Sequence, residues 1–181
     1  MAFLAELDVD LYGCLDGDDA GFPVPSFEHD WSTPYPAAGV TVPFTWEPGE
    51  GKHRPDVYWY PRMRDWVCNR LAFDVLTRCA GPDIRTLAHG VLGDEPLFVV
   101  QVTAVIDDVV DREASLIDTY ETYEALRFPA FRRSMADAVA SRVFRVPGSV
   151  SDVFVGEHVR QALTDAGVTG LRFVRADWAP S

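Results

Sequence analysis

Leu97-Phe98-Val99-Val100-Gln101-Val102-Thr103-Ala104-Val105-Ile106 is the stretch whose reading decides the fold. Nearly every residue in it is apolar or β-branched. A half-exposed strand alternates apolar and polar residues, and this run does not, so it predicts a strand covered on both faces. Upstream, Asn69 can cap a helix over 69–80 that ends at Gly81-Pro82. Leu71, Ala72, Val75, Leu76 and Cys79 fall on one face of that helix. Between helix and central strand, 83–92 reads as a short strand and turn. Downstream, 131–140 reads as a helix, and Arg142-Val143-Phe144-Arg145-Val146 alternates as a half-exposed strand should. Asp152-Val153-Phe154-Val155 is a short strand. It leads into an amphipathic helix over 156–166, with Val159, Ala162, Leu163 and Ala166 on one face and Gly167 as its stop. Leu171-Arg172-Phe173-Val174 returns as a last strand. Leu163 and Phe173 are expected in the core. This mixture predicts a single α+β domain with a mixed or antiparallel sheet and a few short helices.

Two units look alike. Trp66-Val67-Cys68-Asn69 leading to Leu76 and Ala80 aligns with Val153-Phe154-Val155-Gly156 leading to Leu163 and Gly167, 87 positions later. Each reads as strand, small or polar cap, helix, strand. Strand–helix grammar of this kind is common, so the pattern alone does not separate a repeat from coincidence.

The N-terminal third differs. Eight of the 13 prolines lie between Pro23 and Pro61, which denies the segment a long helix. It is nonetheless rich in large rings (Phe27, Trp31, Tyr35, Phe44, Trp46, Tyr58, Trp59, Tyr60), whereas disordered linkers are poor in them. Residues 1–65 are therefore expected to be an ordered, extended arm packed on a core formed by 66–181. Short strands are expected at Val40-Thr41-Val42 and Val57-Tyr58-Trp59-Tyr60. The loop between Pro43 and Pro48 would then expose Trp46 as a binding anchor, a role in which Trp is over-represented.

Charge divides the chain the same way. Of 28 acids and 16 bases, ten acids and no Lys or Arg fall before Lys52, so residues 1–51 carry −10 and the remainder, with 18 acids and 16 bases, carries −2. Nucleic acid is a poor partner for such a chain, because phosphate binding needs clustered cations. The asymmetry favours either plain solubility or a basic protein partner. Hydrophobic residues are 48% and charged residues 24%, a globular mix that excludes collagen, coiled coil and wholesale disorder. No apolar run approaches the ~20 residues of a membrane span. The opening residues lack the basic start of a signal peptide, so a cytoplasmic protein is expected. Three cysteines (Cys14, Cys68, Cys79) without a Cys-x-x-Cys pair read as reduced thiols.

Chemical motifs are sparse. The run 8–19 overlaps a calcium-loop template, but Tyr12 occupies a position that needs an oxygen ligand, and prolines stand where the exiting helix should begin. It reads as an acidic turn containing Asp16, Asp18 and Asp19. Asp107, Asp108, Asp111 and Glu113 follow the central strand. They suit turn and cap chemistry, a contact with a partner, or acid–base or metal chemistry. His29, His53, His89 and His158 are scattered at no ligand spacing. No nucleophile elbow, phosphate loop or dinucleotide fingerprint is present. No catalytic residue, metal or cofactor is expected.

The order of motifs from 66 to 174 carries a family resemblance. The ending Val153-Phe154-Val155-Gly156-Glu157-His158-Val159-Arg160-Gln161-Ala162-Leu163-Thr164-Asp165-Ala166-Gly167-Val168-Thr169-Gly170-Leu171-Arg172-Phe173 resembles that of a bacterial immunity-protein family. That family, formerly a domain of unknown function, is counted as the eleventh immunity family of polymorphic toxin systems. Val99-Val100-Gln101-Val102 leading to Asp107, Asp111 and Ser115 resembles its middle. Val143-Phe144-Arg145-Val146-Pro147-Gly148 is similar to its Phe-Arg-Leu-x-Gly segment. Gly156 departs from the usual Ser at the helix cap. The resemblance implies an α+β fold and a non-catalytic protein that binds and neutralises a cognate toxin, with an unspecified oligomeric state. Candidate toxin contacts are then Asp16, Asp18, Asp19, Trp46 and Glu47 on the arm, and Asp107, Asp108, Asp111 and Glu113 on the core. The rivals are a small enzyme using the second carboxylate set and a general protein-interaction module.

Overall fold

A computed structural model describes residues 1–17, 41–60, 65–120, 124–149 and 152–179. The strands are β1 (Ala2–Leu7), β2 (Cys14–Gly17), β3 (Thr41–Glu47), β4 (Val57–Tyr58), β5 (Trp66–Cys68), β6 (Ile84–Leu92), β7 (Glu95–Val102), β8 (Val110–Thr119), β9 (Glu124–Phe131), β10 (Val143–Phe144), β11 (Phe154–Gly156), β12 (Leu171–Arg175) and β13 (Asp177–Trp178). The helices are a single turn α1 (Val9–Tyr12), α2 (Arg70–Ala80) and α3 (Glu157–Asp165). Among the described residues these strands form three sheets, ordered β2-β3-β6-β7-β5-β4, β10-β11-β1-β12 and β13-β9-β8. This is the single α+β domain that the sequence predicts.

Central strand β7 is buried from Leu97 to Val102, and its two faces serve two cores. Leu97 and Val99 join Leu15, Val42, Phe44, Tyr58 and Val67 on one side of the six-stranded sheet. Phe98, Val100 and Val102 join α2, α3 and the four-stranded sheet on the other. The first side is enclosed because the sheet curls until its edges meet. Beyond β4, Trp59 bridges Cys14 of β2 in parallel, and the Leu15 amide donates to the Trp59 carbonyl at 2.8 Å. A third core lies between the four-stranded and three-stranded sheets, centred on Phe131, Phe144 and Phe154.

The 87-residue likeness is structural. β5 and β6 are joined through α2 and both run antiparallel to β7, which lies between them. β11 and β12 are joined through α3 and both run antiparallel to β1, which lies between them. A further antiparallel strand flanks each unit, β4 beside β5 and β10 beside β11. Ala72 and Leu76 of α2 and the equivalent Val159 and Leu163 of α3 are all fully buried, on helices that pack against each other. The units differ in where the middle strand comes from. β7 follows its own unit directly, whereas β1 comes from the opposite end of the chain.

That placement corrects the expectation of an arm over 1–65 laid on a 66–181 core. β1 is an interior strand, and β2 and β3 complete the six-stranded sheet. The described aromatics of this region are built in, with Phe44, Tyr58 and Tyr60 buried. Phe27, Trp31 and Tyr35 lie outside the described residues. The segment between Pro43 and Pro48 is strand rather than loop as far as Glu47. Pro43 is tolerated because pairing changes partner there: Thr41 to Pro43 pair with β6, and Phe44 to Glu47 pair with β2.

Other local expectations change for tertiary reasons. Residues 131–140 are not a helix. β9 runs through Phe131, whose ring is needed in the third core, and a 3₁₀ turn at Arg133–Met135 follows. The next carbonyls are used elsewhere, as His158 donates its amide to the Ala140 carbonyl at 2.9 Å. Residues 143–146 are wholly buried rather than half-exposed, with Arg145 held against Asp65. On α2, Asn69 caps as predicted, its side chain accepting from the Ala72 amide, but Leu71 is 43% exposed because the helix buries Ala72, Val75, Leu76 and Ala80 instead. Leu163 is buried and Phe173 half-buried against the same core.

Gly156 at the head of α3 has a packing reason. A Cβ built there would lie 1.9 Å from the Val139 carbonyl and 2.4 Å from that of Ala140. A side chain would displace backbone, so the Ser of the resembling family cannot be accommodated without movement. Gly156→Ala should cost about 1–3 kcal/mol by overpacking. Chemical denaturation of the variant checks it.

Candidate interaction surface

Two sets of carboxylates were candidates, and the structure separates them. Asp16, Trp46 and Glu47 share the β2–β3 ladder, where Leu15 faces Trp46 and Cys14 faces Glu47. Asp18 and Asp19 lie outside the described residues. Asp107, Asp108, Asp111 and Glu113 sit in the turn into β8 and at its start. That strand belongs to the three-stranded sheet, which shares its core with the four-stranded sheet, whereas β2–β3 pack into a different core with β4, β5 and β7.

The β2–β3 set belongs to a larger acidic rim. Asp8 caps α1, its Oδ1 accepting from the Leu11 amide at 3.3 Å. The 49–51 turn docks on α1 through backbone: the Glu50 amide donates to the Asp10 carbonyl at 2.9 Å, and the Gly51 amide to the Leu11 carbonyl at 2.8 Å. The approach is possible because residue 13 is glycine at φ 76°. A Cβ there would lie 1.9 Å from the Glu47 carbonyl. Asp8, Asp10, Asp16, Glu47 and Glu50 are thereby gathered on one border, with Glu6 beside them on β1. Asp10, Asp16, Glu47 and Glu50 are exposed.

Neighbouring groups register this negative field. Burial, and then Glu47 and Asp16, push the Cys14 thiol up from its ordinary value. Arg172 is held above the usual guanidinium value by its hydrogen bond to Glu6, with Asp8 and Asp10 adding to the effect. Two arginines at the border are engaged, Arg172 Nε donating to Glu6 at 3.0 Å and Arg54 pairing with Glu95 at 3.5 Å, while Lys52, which follows the 49–51 turn, is exposed. Trp46 is half-buried rather than an exposed anchor. Its indole Nε1 donates to the Tyr12 carbonyl at 2.9 Å, the ring packs on the core within the curled sheet, and the Arg54 guanidinium stands 6.0 Å from it. Asp8, Asp10 and Glu50 were not singled out from sequence. Their signal was the run of acids before Lys52, but only the contact between α1 and 49–51 joins them to Glu47.

The second set shapes the backbone. Asp111 Oδ1 accepts from the amides of Glu113 and Ala114, each at 3.2 Å, and the Ser115 hydroxyl donates to the Asp111 carbonyl and accepts from the Ala130 amide at 2.9 Å. These bonds fold an irregularity into β8, where register shifts between Asp111 and Leu116. Asp107 lends its carbonyl to the turn, accepting from the Val110 amide at 3.1 Å, and Asp107, Asp108 and Glu113 are exposed. Among the described residues no cluster of His, Cys, Asp and Glu is arranged to hold a metal ion, and no helix is long and apolar enough to cross a membrane. Cys14, Cys68 and Cys79 are free thiols. No protein-family model matches the chain, and no curated protein matches it.

Proposed function

We propose that this chain is a cytoplasmic immunity protein that binds a basic toxin domain and neutralises it by covering the toxin's active or substrate-binding surface. The observation that carries the reading is the acidic rim at α1, β2–β3 and the 49–51 turn, where exposed carboxylates gather beside arginines already engaged with Glu6 and Glu95. The ordered motifs over 66–174 that resemble the immunity family point the same way. A toxin cleft that grips a polyanion is basic, and a carboxylate rim complements it, raising the association rate and selecting the partner.

Co-expression with a basic toxin domain, which this reading expects to be encoded beside the gene, tests the reading directly. Growth should be rescued by the wild-type chain, and absence of rescue and of binding would reject it. The triple variant Asp10→Asn, Asp16→Asn, Glu50→Gln should associate about tenfold more slowly at low salt, with a flatter salt dependence and an unchanged melting temperature. Stopped-flow association across ionic strength checks this. Identical kinetics would move the contact off the rim, to the surface of Asp107, Asp108 and Glu113.

A further inference from the structure

Among the described residues, two buried aspartates are treated very differently by their surroundings. Asp83 lies after α2 and is fully served. Arg142 Nε donates to its two oxygens at 2.9 and 2.8 Å, Arg142 Nη2 reaches Oδ1 at 2.7 Å, and the Val143 amide donates to Oδ2 at 3.0 Å. Asp65 immediately precedes β5 and is 2% exposed. Its Oδ1 receives Arg145 Nη2 at 3.4 Å, and its Oδ2 has no hydrogen-bond partner among the described residues.

The position of Asp65 is as unusual as its bonding. Trp66 pairs with Val100 and Arg85 pairs with Gln101. Asp65, Gln101 and Arg85 therefore follow one another across β5, β7 and β6. Arg145 comes from the other side, just past β10 of the four-stranded sheet. The Asp65–Arg145 pair ties the two sheets together. Arg85 directs a guanidinium nitrogen to the Gln101 side-chain oxygen. Among the described residues, the charged groups whose fields act on Asp65 are Arg145, beyond β10, and Arg85, on β6.

An ionised carboxylate offers about four acceptor sites, and out of water it needs most of them filled. Here one long bond replaces the water shell. A neutral acid needs less, having one donor and a weak acceptor. We propose that Asp65 is a proton-binding switch of the folded state, an ion-pair partner of Arg145 at neutral pH and a neutral acid under mildly acidic conditions, so that the tie between the two sheets changes character within that range. Burial raises the Asp65 carboxyl to about 6, against the opposing pull of Arg145 and then Arg85.

The sign follows from linkage. A carboxyl raised in the folded state binds its proton there before it does in the unfolded chain. The stability it contributes is complete below the unfolded value near 4 and is lost as pH rises through about 6. Relative to Asp65→Asn, the wild-type folded-to-unfolded ratio should rise about tenfold between pH 7.5 and pH 5.

Carbon-detected NMR titration of the Asp65 side-chain carboxyl in the intact wild-type chain is the direct test, because it requires no variant to fold. A midpoint at or above 5 supports the switch, and a midpoint below 5 overturns it. Denaturation of Asp65→Asn and wild type at the two pH values is the second test. Parallel pH profiles for the two proteins would overturn the proposal, and the tenfold divergence supports it.

Discussion

Deleting residues 1–7 should abolish cooperative folding of the whole chain rather than trim an end. β1 is the middle strand of the second β–α–β unit, paired with β11 on one side and β12 on the other. Its side chains alternate between two cores. Ala2 and Leu4 face the core shared with the three-stranded sheet, and Phe3, Ala5 and Leu7 face the core that holds α2 and α3. Removal would strip two ladders at once and leave β11 and β12 with unpaired edges. It would also uncover Phe154 and Phe173 on opposite faces of the sheet. The backbone beside the strand participates too, since the Glu157 amide that opens α3 donates to the Met1 carbonyl at 2.9 Å. A thermal melt followed by circular dichroism should show no sigmoidal transition. A cooperative melt within a few degrees of the full chain would mean that β10, β11, α3 and β12 hold together without their middle strand.

Leu163→Ala should cost about 2–5 kcal/mol, the range for truncating a fully buried leucine. Leu163 is 0% exposed in the core where α2, α3 and two sheets meet, so neighbouring elements are held from several directions and have little freedom to collapse into the gap. Leu71→Ala is the internal comparison. The same substitution on the solvent side of α2 should change stability by less than about half a kilocalorie per mole. Urea denaturation of the pair separates a helix face set by packing from one set by composition. Equal losses at both positions would show that the buried face of one helix is misplaced.

The Leu71 error shows how periodicity reaches its limit. Leu71 and Ala72 are adjacent, and the i, i+3, i+4 pattern around Val75 and Leu76 admits both. A methyl group at residue 72 fits between close-packed elements where leucine would not, and only the facing sheet and α3 decide that. The unbroken apolar run at 97–102 needed no such help. A strand apolar on consecutive residues is covered on both faces whatever covers it, and Leu97 and Val99 duly face one core while Phe98 and Val100 face another. Asn69 and Gly167 were equally legible, because caps and stops act through their own backbone neighbours.

The rim was half legible. An excess of acids before Lys52 is visible as composition, but Asp10 and Glu47 are 37 positions apart, and it is the backbone contact of Gly13 with 49–51 that makes them neighbours. Asp111 and Glu113 carried the same kind of signal, yet the Asp111 carboxylate holds two main-chain amides within its own strand.

By itself the sequence determined what depends on near neighbours: the α+β class, the caps and lengths of α2 and α3, the doubly covered central strand, and the −10 charge of the first 51 residues. Only the tertiary structure decided that β1 completes a unit begun more than 140 residues later and that the six-stranded sheet curls back on itself through Trp59. It also decided that Arg145 is buried against Asp65 and that residues 131–140 turn instead of coiling. Each of these rests on a partner distant in the chain. Local propensity differences amount to about 1 kcal/mol or less per residue, whereas burial of one large side chain is worth about 1.5–3 kcal/mol. Where the two disagree, burial prevails, and the distant partner is what supplies it.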